Sequence, residues 1–324
     1  MNLKITAQSI YQELTERGID VSIVRLNLTQ AMVFNYAGKM RVIVGSNPDI
    51  ANASFSTIAQ NKNFTYEVVK KHGMTSVPET ETFESVSQAE EFLKVNKRIV
   101  IKPVDGAHGN GVTTNITKPR QIEQAVEAAL SRSESEKILL QKQIDGTDLR
   151  VLVIDNECVG VVSREPARVV GDGESTVLEL IEHENMHNSD RGETPYTKKM
   201  NKIDIDAVMR FLSASQLSYV PGIGEIFQVV GTANIGTGGR SVECYGIVPE
   251  ALIDQAIKIS NVCGAFIAGV DFLYDASSRT WYLLEINASP SFGLHMMPSE
   301  GQPINNLPKL YVDKLLKKYN LNKL

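Results

Sequence analysis

The spacing of apolar residues changes several times along the chain, and each change predicts an element. In "ITAQSIYQELTERG" the apolar positions fall on one helical face and a glycine stops the run, which predicts an amphipathic helix. "VSIVRL", "MVFNYAGK" and "MRVIVG" have strand character and are joined by turn residues. "NKNFTYEVVKKHGMTSVP" returns to helical spacing, ends at Gly73 and has Pro78 beyond it. Strand "RIVIKPV", glycine-rich loop "DGAHGNGV", helix "PRQIEQAVEAALSRS" and strand "KILLQKQI" follow. "DLRVLVID" and "ECVGVVSRE" read as strands, Arg168 to Lys202 as a polar loop, and "EALIDQAIKISNVCG" as a helix. "GVDFLYD" and "WYLLEIN" close the chain as a hairpin. Helices and strands mix without a repeat or a low-complexity tract, which predicts an α/β or α+β protein. Three units are expected, at 1–58, 59–144 and 145–324, the first a small α/β unit.

Polar residues interrupt the closing hairpin. Glu285 and Asn287 are two apart, so in a strand their side chains share a face. A five-residue loop from Ala276 to Thr280 would pair Asp275 with Trp281, and therefore Asp271 with Glu285. Three hard oxygen donors then converge without His or Cys, a set suited to Mg²⁺ that is held partly by phosphate. A solvated sheet face is the plainer alternative, but carboxylates are uncommon inside strands this apolar. Phosphate ligands are available upstream. Lys102 ends an apolar strand, where an unpaired ammonium is costly to bury, so an anionic partner is implied. Gly106, Gly109 and Gly111 follow, and glycines let backbone N–H groups approach an anion. The spacing is neither a Walker A loop nor G-x-G-x-x-G, and an ordinary flexible loop would read the same. Lys62 is a second basic candidate, on what would otherwise be a solvated helix surface.

Composition works by exclusion. The chain has 324 residues, 42% hydrophobic and 22% charged, enough for two or three subdomains with real cores. A net charge of −5 leaves no basic footprint for nucleic acid or an anionic membrane. Cys158, Cys244 and Cys263 lack CxxC spacing and suit reduced thiols packed in a core. The N-terminus has no apolar signal region, and nothing approaches the ~18 apolar residues of a membrane span. A cytoplasmic location is expected, where the N-x-S/T triplets at Asn52 and Asn63 would carry no glycan. "HENMH", His183 to His187, fits the H-E-x-x-H spacing that binds Zn²⁺ on a helix, so a zinc hydrolase is a remote alternative, with no third ligand in view.

"NKNFTYEVVKKHGMTSVP", "IVIKPVDGAHGNGV", "ILLQKQIDGTDLRVLVI", "ARVVGDGESTVLELIEHEN", "TANIGTGG" and "GVDFL…LLEINASPSFGLH" come in the order seen in ATP-grasp ligases. The resemblance covers about residues 55 to 317 and is strongest to the ATP-grasp module of the cyanophycin synthetases and bifunctional glutathione synthetases. It implies an α+β ATP-grasp fold, with nucleotide held between two α+β subdomains, and an ADP-forming ligase that joins an amino acid or short peptide to an amine through an acyl phosphate. "HENMH" overlies a loop in which only Asn185 and Arg191-Gly192 match, so the zinc motif looks accidental.

By the same resemblance, Lys62 and Lys102 touch the nucleotide phosphates. The loop with Gly106, His108, Gly109 and Gly111 is the lid over the β- and γ-phosphates, and closes with the segment from Arg168 to Lys202 to keep water out. Gln141, Lys142, Gln143 and Ile144 form the hinge at the adenine edge, and Asp148 holds the ribose. Asp271, Glu285 and Asn287 bind two Mg²⁺ ions, with Mn²⁺ as a substitute and Glu285 as the bridge. Arg150, Arg164 and Asn234 face the transferred phosphate and the substrate carboxylate. A non-catalytic ATP-binding regulatory module is the alternative, which the intact acidic set opposes. The length leaves no room for the further catalytic domain of the two named families, so a ready-made substrate is expected; a homo-oligomer is compatible. The position four before Asn234 is Val230, where the resemblance places an arginine. A less anionic substrate than γ-glutamylcysteine is therefore expected.

Overall fold

The expected first helix forms as α1 (Ile5–Glu16), with Ala7, Ile10 and Leu14 on its buried side. The structure is a computed structural model and describes residues 3–26, 29–74, 76–105, 110–193 and 198–321. β1 (Val21–Leu26), β2 (Thr29–Tyr36), β3 (Lys39–Val44) and β4 (Asn47–Pro48) make an antiparallel meander. Val21, Met32, Phe34 and Ile43 on its inner face join the core of the C-terminal region, so the N-terminal unit does not close a core by itself. α2 (Phe55–Gln60), unexpected from the sequence, precedes the expected α3 (Lys62–Lys71). Asn61 separates them and caps α3, its side chain accepting from Phe64 N. Gly73 takes a φ of 57° just past α3.

β5 (Thr80–Thr82), α4 (Val86–Asn96), β6 (Ile99–Pro103), β7 (Thr113–Ile116), α5 (Ile122–Leu130) and β8 (Ile138–Lys142) build the second layer. Its antiparallel sheet runs β5-β8-β6-β7. The period of two sends Ile99, Ile101 and Leu140 into a core under α4 and α5, and leaves Lys102 and Gln141 on the opposite face.

β9 (Thr147–Ile154) and β10 (Glu157–Glu165) start the main sheet and lead into an insert: β11 (Arg168–Val170), α6 (Val177–His187), β12 (Arg191–Gly192), β13 (Met200–Asn201), α7 (Ile205–Phe211), α8 (Ala214–Leu217) and β14 (Ile226–Gln228). The polar loop expected from Arg168 to Lys202 is thus part of a folded unit. Val169, Val177, Ile181, Ile203, Val208 and Val229 give it a core, and Thr176 with Glu179 forms a capping box on α6. The polar residues that mimicked a loop are that helix's outer face and turns.

β15 (Arg240–Glu243), α9 (Glu250–Val262), β16 (Ile267–Asp275), β17 (Thr280–Asn287), α10 (Gly293–Met296) and α11 (Leu307–Leu321) complete the chain, and the main sheet runs β15-β10-β9-β16-β17, all antiparallel. Val151, Val153, Val270 and Phe272 share one core with α9, together with buried Cys244 and Cys263 and half-buried Cys158, all three free thiols. On the other face Leu152, Ile154 and Ile267 pack with α1 and α11. No helix among the described residues is long and apolar enough to cross a membrane.

The hairpin reaches the expected pairing by an unexpected route. Its turn is Ala276 to Arg279, one residue shorter than read, so Asp275 pairs with Thr280 and Phe272 with Leu283. A β-bulge at Leu284 then shifts the register by one and returns Asp271 to Glu285. It also explains why Leu283 and Ile286, three apart, both enter the core while Glu285 and Asn287 turn to the other face.

Ile181 is fully buried in the insert core. Ile181→Ala should destabilise that unit by about 2–5 kcal/mol. Hydrogen exchange is expected to show protection lost in α6 and α7 with the main sheet retained.

Candidate active site

Strand alternation assembles the site. Asp148 and Arg150 on β9 face Arg164 on β10 and Asp271 on β16, through the pairings Arg164↔Asp148 and Asp271↔Arg150. Asp271 is 1% exposed. Arg150 grips it edge-on, Nε to Oδ1 and Nη2 to Oδ2 at 2.6 Å, and Arg164 Nη2 donates to the same Oδ2 at 2.9 Å. Arg164 Nε donates to Asp148 Oδ1 at 2.8 Å. Burial alone would raise the Asp271 carboxyl; Arg150 and Arg164 overcome it and hold the group below the usual carboxylate range. Asp148 lacks that double clamp, and burial, with Asp271 nearby, pushes it to about 6 against the pull of Arg164. Its position in the arginine cluster makes it an anchor for Arg164.

Glu285 and Asn287 lie beside this cluster. Asn287 Nδ2 is 3.4 Å from both Glu285 Oε1 and Asp271 Oδ2, and Lys62 Nζ is 3.6 Å from Glu285 Oε2. The structure therefore brings Lys62 from the first turn of α3 to the same acidic edge. A carboxylate has about four acceptor directions, and three on Asp271 are filled by guanidinium N–H groups. Glu285 and Asn287 place two further hard oxygen donors beside Asp271, the residue types that suit Mg²⁺. Among the described residues no group of three or more His, Cys, Asp and Glu is placed to hold a metal. His183 and His187 do sit one turn apart on α6, their rings 4.6 Å apart, but Glu184 between them is bound to Arg191.

Lys102 is 6% exposed and donates to Gln141 Oε1 at 2.8 Å and to Tyr66 Oη at 3.3 Å. Among the described residues no carboxylate bonds it, and burial pulls the ammonium down to about 8 despite Glu285. The segment expected as the hinge lies next along the chain: Lys142 N donates to Glu79 O, Gln143 N to Arg98 O, and Gln143 Oε1 accepts from Asn115 N. Ile144 is half-buried, and a Cβ on Gly146 would meet Tyr274 O at 2.7 Å, so only glycine lets the chain pass between the sheets there. Gly106, His108 and Gly109 lie outside the described residues. Gly111 is described, with a φ of 72°, and a Cβ there would meet Ala128 O and Arg132 Cβ at 3.0 Å.

Asn234 caps the 3₁₀ turn Ile235–Thr237, its Oδ1 accepting from Gly236 N at 2.9 Å. Gly238 and Gly239 behind it leave no space for a Cβ, which would meet Ile203 Cα or Asn234 O at 2.7 Å. Arg191, read only as a matching position, proves to be a buried clamp on this loop: its Nη1 donates to Gly238 O at 3.0 Å and Asn201 O at 2.7 Å. Asn185 similarly bonds both N and O of Ile203. Val230, where the resemblance places an arginine, is 3% exposed and packs in the insert core. Tyr66 and His295 were missed by sequence reasoning. His295 is buried where Gly160 makes room, and burial, then Arg150, push its imidazole down to about 3, so it stays neutral.

Two known sequence families match successive stretches: the ATP-grasp domain of prokaryotic glutathione synthetase over residues 67–186 and a RimK-like ATP-grasp domain over residues 232–302. Fold, site and sequence together make this chain an ATP-grasp protein. A cyanophycin synthetase of Trichormus variabilis is 34% identical over 258 residues, 76% of this chain and 28% of that protein. The bifunctional glutathione biosynthesis protein of Pasteurella multocida is 26% identical over 316 residues, 93% of this chain and 41% of that one. A solved bifunctional glutathione synthetase from Pasteurella multocida superimposes with a TM-score of 0.68 at 24% identity, covering 98% of this chain and 44% of the other. The chain therefore spans 28% and 41% of the lengths of these two curated relatives.

An anion pairs with the Lys102 ammonium and not with its free amine. ATP affinity should be full below about pH 8 and fall by up to tenfold per unit above it. Calorimetric titrations at several pH values should show this fall in the parent and in Lys71→Ala, on the exposed side of α3, and a flat profile in Lys102→Arg. The same lysine makes the unliganded protein gain stability as pH rises from about 8 towards 10.5, because the unfolded chain binds the extra proton.

Proposed function

We propose that the chain is an ATP-dependent, ADP-forming carboxylate–amine ligase, with an amino acid or short peptide as acyl donor. The observation that carries this reading is the convergence of Arg150, Arg164, Lys62, Glu285 and Asn287 around buried Asp271, together with Lys102 buried without a bonded carboxylate among the described residues. A carboxylate is a poor electrophile, so its oxygen attacks the γ-phosphorus of ATP and the bond to ADP breaks. The amine then attacks the acyl carbon, phosphate leaves, and a proton is released.

No side-chain nucleophile is needed; the protein positions the reactants and stabilises charge. Lys62 and Lys102 bind phosphate oxygens. Arg150 and Arg164 use their Nε and Nη2 groups on Asp148 and Asp271, which leaves Nη1 of each for the transferred phosphoryl group or the substrate carboxylate. Asn234 faces the substrate from its capped turn. Gln141 to Ile144 serve the adenine, and the loop from Gly106 to Gly111 serves as lid. Asp271, Glu285 and Asn287 would hold Mg²⁺, as two ions, or Mn²⁺ in its place; when bound, such ions would neutralise the β- and γ-phosphates. Residues 1–58, 59–144 and 145–324 act as N-terminal, lid and catalytic units.

Incubation with ATP, Mg²⁺ and a panel of amino acids and dipeptides should give ADP, phosphate and an amide in equal amounts by mass spectrometry. AMP with pyrophosphate, or no amide with any pair, would sink this reading. Glu285→Gln should lower turnover at least about a hundredfold with little change in melting temperature, since a side chain 29% exposed at the sheet edge adds little to the core. Turnover within a few-fold of the parent would remove Glu285 from the metal site.

A further inference from the structure

Tyr66 lies on α3, and nothing in the reaction above uses it. It is 2% exposed, and its hydroxyl meets three different parts of the molecule. It donates at 2.7 Å to Leu284 O, the carbonyl of the bulged residue, which belongs to the peptide that carries the Glu285 nitrogen. It accepts at 3.3 Å from Lys102 Nζ on β6 and at 3.2 Å from Gln141 Nε2 on β8. A phenol donates once and accepts twice, so all its hydrogen bonds are used.

We propose that Tyr66 is a positioning residue that holds the phosphate-binding lysine of the lid sheet in register with Glu285 of the main sheet. A bulge leaves a residue outside the ladder. Tyr66 occupies the carbonyl so exposed and thereby orients the Glu285 peptide. The same oxygen is one of two hydrogen-bond acceptors on the Lys102 ammonium among the described residues; the other, Gln141 Oε1, belongs to a side chain that is itself tied to Tyr66 and to Thr80 Oγ1. Besides the Lys102 ammonium bonded to it, the charged groups that act on the phenol are Lys62, Glu285 and Lys70. Burial raises its hydroxyl to about 12, so it remains a donor to Leu284 at neutral pH.

The role in turnover rests on the ligase reading; the positioning of Lys102 can be measured without it. In the unliganded full chain, with ¹³C,¹⁵N-labelled lysine, the Lys102 signal is assigned by its loss in Lys102→Arg and followed with pH by NMR. Tyr66→Phe keeps the ring and removes the hydroxyl. Its Lys102 midpoint should fall by about one pH unit or more, and ATP should bind roughly tenfold more weakly at neutral pH. A lower melting temperature with an unmoved Lys102 midpoint would show a purely structural tyrosine and overturn the proposal. If Tyr66→Phe does not fold, 3-fluorotyrosine at position 66 keeps the shape and weakens the oxygen as an acceptor. A smaller shift in the same direction supports the proposal and an unchanged midpoint overturns it. A moved midpoint in a protein that forms no amide leaves the positioning intact and removes the ligase reading, whereas amide formation with an unmoved midpoint removes the positioning alone.

Discussion

Asp271 is a carboxylate buried in a sheet and gripped by two guanidiniums from neighbouring strands, and the rest of the site is arranged around it. Taking such charges out of water is costly, and an ion pair of this kind adds little net stability over an apolar replacement. Its consequence is geometric. Losing one partner would leave an uncompensated buried charge, so β9, β10 and β16 are held in the one register that places Arg150, Arg164 and Asp271 together. The arginines are thereby held in place by the protein itself.

The main sheet separates stability from chemistry by its two faces. Val151, Val153, Val270 and Phe272 face the α9 core, and Leu152, Ile154 and Ile267 on the reverse face are covered by α1 and α11. That cover ends before Arg150 and Asp271, so charged residues continue the rows that apolar ones began. The bulge at Leu284 extends this division into β17, where Leu283 and Ile286 would otherwise demand opposite faces.

In the insert, polar residues have a mechanical role. Arg191 and Asn185 hold the backbone around Gly238 and Ile203, which positions the Asn234 turn from behind. Val230 belongs to the same unit's core. Position four before Asn234 therefore bears on the packing of the insert.

Much of this was legible in the sequence, because local rules decide it. Helical spacing gave α1, α3, α5 and α9, alternation gave the main-sheet strands, and the apolar surroundings of Lys102, Asp271 and Glu285 marked them as chemistry-bearing. The shared face of Glu285 and Asn287 follows from a period of two in any strand. What tertiary structure alone decided is where non-local partners meet. Residues 121 positions apart make the Arg150–Asp271 pair, and no spacing rule predicts that Asp148 anchors Arg164 or that Arg191 clamps Gly238. The hairpin is the sharpest case: turn length read from sequence was one residue too long, and only the packing of Leu283 and Ile286 into one core, with Tyr66 taking the freed carbonyl, forced the bulge that restored Asp271 opposite Glu285.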